Sequence, residues 1–137
     1  MTSKPTYTLV FDGGSRGNPG PGYGSYVLTR TDTGEQRLER VDFGRRMTNN
    51  EAEYETLIVA LEDLLAELDR LGHRPHQFDI EIRGDSRLVI DQVTGRWKAR
   101  DPRMARYRDN ARRLLSRFGA SHLVQHPRAE SVAILGH

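Results

Sequence analysis

Hydrophobic and polar positions change period several times along the chain, and each change marks a new element. Residues 7–12, YTLVFD, alternate with period two: Leu9 and Phe11 fall on one face, Val10 and Asp12 on the other. That alternation predicts a strand. Residues 23–30, YGSYVLTR, predict a second strand, and a polar turn at Asp32-Thr33-Gly34 leads into a third over 37–43. The three read as an antiparallel meander. From Thr48 the period lengthens, and Leu57, Leu61, Leu64, Leu65 and Leu68 recur at helical spacing. Thr48 with Glu51 fits a capping box at the start of this helix, and Gly72 a C-terminal cap. FDIEIRGD, residues 78–85, returns to period two. A short helix is predicted over 87–93. A longer one follows Pro102, with Met104, Tyr107, Ala111, Leu114, Leu115 and Phe118 as its inner face, and a last strand covers 121–125. The order βββαβααβ predicts one α/β domain with a mixed five-stranded sheet. Three antiparallel strands come first, then strands parallel to the first, with helices on the flanks.

Composition narrows the setting. A chain of 137 residues suffices for one domain with its own core. No apolar run approaches the ~18 residues of a membrane span, and MTSKPTYTLVFDGG lacks the pattern of a signal peptide. The absence of cysteine excludes disulfides and thiolate metal sites. A cytoplasmic protein with no membrane partner is expected. The formal net charge is only +2, so the placement of charge matters more than its sum. Residues 96–113 carry eight arginines and lysines against two aspartates. This run fits a solvated helix face, or a basic ridge beside Trp97 that grips a nucleic-acid strand. His73, His76, His122 and His126 do not form a zinc pattern.

The chemistry lies in the acids. Asp12 and Asp85 each end a predicted strand, and if those strands are parallel neighbours both reach one sheet edge, where open α/β sheets bind ligands. On the helix between them Glu53 precedes Leu57 and Leu61 by four and eight residues, so it shares the sheet-facing stripe while Glu51 and Glu55 point away. Singly, each acid also fits a cap or a solvated strand end. Together, three carboxylates repel one another and need a compensating charge. A hard divalent cation such as magnesium supplies it. A pair of such ions ~3.5–4 Å apart can activate water and neutralise the leaving oxygen of a phosphodiester.

FDGGSRGNPGPGYG (11–24), TNNEAE (48–53) and RGDS (83–86) resemble, in order and spacing, the signature segments of type 1 ribonuclease H. The resemblance spans residue 7 to about residue 128. It implies a ribonuclease H fold and two Mg²⁺ ions, with Mn²⁺ as substitute. It also implies endonucleolytic hydrolysis of the RNA strand of RNA/DNA hybrids to 5′-phosphate and 3′-hydroxyl ends. Asp12, Glu53 and Asp85 fall on the family's first three catalytic, metal-binding acids. Gly13, Gly14 and Ser15 then form a surface that the sugar-phosphate chain approaches closely. Asn18, Asn49 and Asn50 match positions in contact with the minor groove, where an amide can read a 2′-hydroxyl. Thr48 would reach a DNA phosphate and Arg87 a phosphate or ribose. Plainer roles stand beside these: a turn former for Asn18, first-turn helix residues for Asn49 and Asn50, a cap for Thr48, a solvated arginine for Arg87.

One feature departs from the family. Its usual fourth acid lies in a final helix, in a stretch resembling PRxxNxxAD. HPRAESVAILGH places Leu135 there, and the closing helix is expected to be short or absent. Glu130 and His137 are the nearby side chains that could substitute, while His126 could shuttle a proton or help product leave. Two functions compete: a hybrid ribonuclease, or a module that binds hybrid or double-stranded RNA and cuts poorly. A monomer is expected.

Overall fold

The computed structural model describes residues 6–136, and its elements follow the changes of period. They are β1 (Thr6–Ser15), β2 (Gly20–Arg30), β3 (Gln36–Met47), α1 (Asn49–Arg70), β4 (Asp79–Gly84), α2 (Arg87–Thr94), α3 (Pro102–Leu115), β5 (Ala120–Gln125) and α4 (Arg128–Leu135). One 3₁₀ turn, Pro75–Gln77, precedes β4. The sheet runs β3-β2-β1-β4-β5. The first three strands are antiparallel, β4 lies parallel to β1, and β5 lies parallel to β4.

α1 starts where the sequence signals it. Thr48 accepts the Glu51 N–H and the Glu51 carboxylate accepts the Thr48 N–H, both at 3.2 Å. Its leucine stripe is buried against Leu9, Phe11, Ile80 and Ile82 of β1 and β4. Burying each large apolar side chain contributes ~1.5–3 kcal/mol, so this one interface holds the crossover helix over the two strands that matter for the site. α3 closes the flank: the Tyr107 ring stacks on Tyr54 at 5.5 Å, and its hydroxyl donates to Glu55 at 2.9 Å.

One element differs from expectation. β1 continues three residues past Asp12, because Gly13, Gly14 and Ser15 pair with Gly24, Tyr23 and Gly22 of β2. The glycine-rich stretch is therefore mostly strand, and its turn shrinks to residues 16–19. Packing explains the glycines. A Cβ on Gly13 would lie 2.5 Å from the Ala52 carbonyl oxygen of α1, and one on Gly14 would lie 2.8 Å from the Tyr23 hydroxyl. Absence of a side chain lets α1 press directly on β1. Gly13→Ala should therefore cost about 1–3 kcal/mol in chemical denaturation, by forcing helix and strand apart. Unchanged stability would contradict that contact.

At the C-terminus a short helix, α4, forms, eight residues long. It packs on the sheet face opposite α1, with Leu135 fully buried against Val10 and Val27.

Candidate active site

The ladder between β1 and β4 ends at the pair Phe11 and Gly84. Asp12 and Asp85 are the next residues on each strand, so both leave the pairing at the same point. Asp12 is still held on its other side, opposite Ser25 of β2. Glu53, in the second turn of α1, comes over the same edge. Ligand oxygens of Asp12, Glu53 and Asp85 lie within 4.8 Å of one another, and no other such group of acids or histidines exists among the described residues.

Burial pushes the Glu53 carboxyl up to about 7, and the charges of Asp12 and Asp85 push the same way. A hydrogen bond from the Ser86 hydroxyl and the positive charge of Arg128 oppose the rise. Ser86 also accepts the Val89 N–H at 3.3 Å, capping α2. Three converging, partly buried carboxylates form an all-oxygen, hard donor set with excess negative charge. That set fits a divalent cation such as Mg²⁺.

Sequence reasoning missed Arg128. The parallel register of β4 and β5 ends with Gly84 opposite Gln125, so residues just past β5 arrive beside Asp85. The Arg128 guanidinium stands 3.4 Å from the Asp85 carboxylate and is otherwise solvent-exposed. No periodicity marks this residue. The available signals were its place as the arginine of the stretch resembling PRxxNxxAD and the pairing of β4 with β5.

The fourth acid has no replacement among the described residues. Leu135 is buried in its apolar cluster. Glu130 faces the His126 ring at 3.4 Å and does not join the three acids. His126 is buried, its Nε2 pairs with Ser131 at 2.7 Å, and it is not among the three converging acids. His137 lies outside the described residues.

Around the acids, the expected substrate contacts form two groups. Ser15 donates its backbone N–H and its hydroxyl to Asn49 Oδ1 at 2.9 and 3.0 Å, while the Asn49 N–H donates to Asn18 Oδ1 at 3.1 Å. This web ties the 16–19 turn to the first turn of α1. Both amide oxygens serve protein N–H groups, so a ligand meets the amide nitrogens. Asn18, Thr48, Asn49, Asn50 and Arg103 line one groove. On the other side Arg87 donates to Asp91 at 3.3 Å and lies over the Trp97 ring at 5.4 Å. Trp97 is 44 % exposed, so partial burial does not hide its ring. In the basic run Arg112 is structural, donating to the Val93 and Gln92 carbonyls of α2; Arg106 and Arg113 are exposed and make no such bond to α2.

A family model described as reverse transcriptase-like matches residues 10–134. Ribonuclease HI of Halobacterium salinarum is 47% identical over 119 residues, which are 87% of this chain and 55% of that relative. The bifunctional protein Rv2228c of Mycobacterium tuberculosis is 38% identical over 121 residues, 88% of this chain and 31% of that one. The chain thus spans about a third to about half the length of these curated relatives. Among solved structures, RNase H1 of Halobacterium salinarum is 41% identical with a TM-score of 0.73, covering 92% of this chain and 89% of that one. LC11-RNase H1, isolated from compost and crystallised in complex with an RNA/DNA hybrid, is 31% identical with a TM-score of 0.79, covering 93% and 89%.

Proposed function

The chain belongs to the ribonuclease H family, and from that membership we propose that it is a metal-dependent endoribonuclease acting on the RNA strand of RNA/DNA hybrids. The products are 5′-phosphate and 3′-hydroxyl ends. The observation that carries this reading is the meeting of Asp12, Glu53 and Asp85 within 4.8 Å at one sheet edge. Two Mg²⁺ ions, or Mn²⁺ in their place, would supply Lewis acidity and charge neutralisation at the scissile phosphate. Asp12 and Asp85 would hold them from strand ends fixed by the sheet, and Glu53 from α1.

The rest of the surface fits a nucleic acid. Asn18, Asn49 and Asn50 offer amide donors to 2′-hydroxyls, the groups that distinguish RNA from DNA. Thr48 accepts the Glu51 N–H and keeps its hydroxyl proton for a phosphate. Gly13 and Gly14 serve through helix and ring packing, and Ser15 through its bonds to Asn49, so all three shape the surface. Arg87, Trp97 and the exposed arginines of α3 would grip the DNA strand in a salt-dependent way. The chain would act as a monomeric catalytic domain. The described helices include none long and apolar enough to cross a membrane, and the cysteine-free composition suits the cytoplasm.

Leu135 favours a second reading, a module that binds hybrid or double-stranded RNA and cuts slowly. Labelled RNA/DNA hybrid, double-stranded RNA and single-stranded RNA, each incubated with Mg²⁺, Mn²⁺ or EDTA, separate the two. Metal-dependent cutting of the hybrid with 5′-phosphate ends is the expected result. Tight binding with no cutting in either metal would replace the enzyme with the binding module.

A further inference from the structure

α4 has eight residues, too few to be stable alone, and its N-cap residue, Pro127, provides no side-chain cap. Contacts from outside the helix must hold it. At its C-terminal end Leu135 is anchored in the Val10 and Val27 cluster, and Arg40 of β3 donates to the Leu135 carbonyl at 3.2 Å. At its first turn the holding residue is His126. Its ring is only 4 % exposed, and both ring nitrogens face α4. Nε2 lies 2.7 Å from the hydroxyl of buried Ser131, and Nδ1 lies 3.4 Å from the Glu130 carboxylate. The His126 backbone N–H donates to the Gly84 carbonyl at 2.9 Å, one residue before Asp85. A single residue thus joins the strand end that carries Asp85 to the helix that carries Arg128.

An apolar side chain could fill this space without needing a partner. A buried imidazole is costly unless its polar atoms are matched; Nδ1 makes no hydrogen bond, so the match rests on Nε2 and Ser131, a pair that is satisfied in only a narrow range of helix orientations. Leu135 fixes where the helix lies. The polar pair fixes how its first turn is rotated, and that rotation aims Arg128.

We propose that His126 is a positioning residue, whose bond to Ser131 sets the rotation of α4 and so holds the Arg128 guanidinium against Asp85. This inference rests on the ribonuclease reading of the site. It separates His126 from the reacting atoms, which it does not touch, and gives it a role through Arg128.

The test uses His126→Leu, His126→Gln, Ser131→Ala, Arg128→Ala and the double variant His126→Leu/Arg128→Ala, in steady-state cleavage of labelled hybrid at saturating metal. His126→Leu and Ser131→Ala should each lower kcat about tenfold and leave KM within about twofold. His126→Gln keeps a hydrogen-bonding atom near the Nε2 position and should recover most of the rate. In the Arg128→Ala background, His126→Leu should cost nothing further, because its target is already gone. The Arg128 Nε–Hε resonance, followed by NMR without substrate, should shift in His126→Leu and Ser131→Ala and stay in place in His126→Gln. Wild-type kcat in both single variants, whatever their melting temperatures, would overturn the proposal, as would losses at His126 and Arg128 that multiply. Should the wild type leave hybrid uncut, the ribonuclease reading fails instead. The NMR comparison then decides the positioning role alone, and an unmoved Arg128 signal refutes it.

Discussion

Asp12→Asn is expected to lower hybrid cleavage by about 10³-fold while making the metal-free protein more stable. Asp12 is the most buried of the three acids, at 5 % exposure. Its charge adds to the repulsion that raises Glu53. An amide of the same size keeps the packing and removes that repulsion, so the melting temperature in EDTA should rise. The amide is a poor ligand for a hard cation, so the stabilisation that Mg²⁺ or Mn²⁺ gives the wild type should largely vanish. Activity and the metal response would thus fall while metal-free stability rises. A variant that loses activity simply by unfolding would melt lower in EDTA, and that outcome would remove Asp12 from the metal site.

The second large effect is a dependence of stability on pH carried by Glu53. Its carboxyl, about 7 in the folded chain, has an ordinary value of 4.5. Between those values the folded protein binds a proton that the unfolded chain has released. Stability from this group is therefore full below about pH 4.5, declines as pH rises, and is gone above about pH 7. At ~1.4 kcal/mol for each tenfold change in proton affinity, the decline amounts to about 3 kcal/mol. Urea unfolding of the metal-free protein from pH 5 to 8 should show this fall, and Glu53→Gln should flatten it. Saturating divalent cation should flatten it too, since it favours the ionised carboxylate and expels the proton. Identical pH profiles for wild type and Glu53→Gln would show that Glu53 is not held among its neighbours' charges.

The acids could be found in the sequence because local rules govern them. Period two fixes the faces of Asp12 and Asp85, the leucine stripe fixes that of Glu53, and the order of elements makes β1 and β4 parallel neighbours. What escaped was decided by contacts between distant segments. Nothing local says that Gly13 continues a strand, because glycine is a poor strand former and its reason here is the Ala52 carbonyl. The web of Ser15, Asn18 and Asn49 joins residues more than thirty positions apart. Arg128 and His126 follow the last strand, and only the β4–β5 register brings them to Asp85. Leu135 is visible in the sequence as the residue in the fourth acid's place, but its burial against Val10 and Val27 depends on a helix with little sequence signal.

The shared exit of Asp12 and Asp85 from one strand ladder bears on how freely this fold can be re-engineered. Neighbouring strands lie ~4.8 Å apart wherever they pair, so backbone hydrogen bonds set the gap between these two carboxylates. Lengthening the 16–19 turn or grafting new residues between α2 and α3 would alter which nucleic acid can dock, while leaving that gap untouched. Loops here are free to vary, and the spacing of the acid cluster is inherited from the sheet.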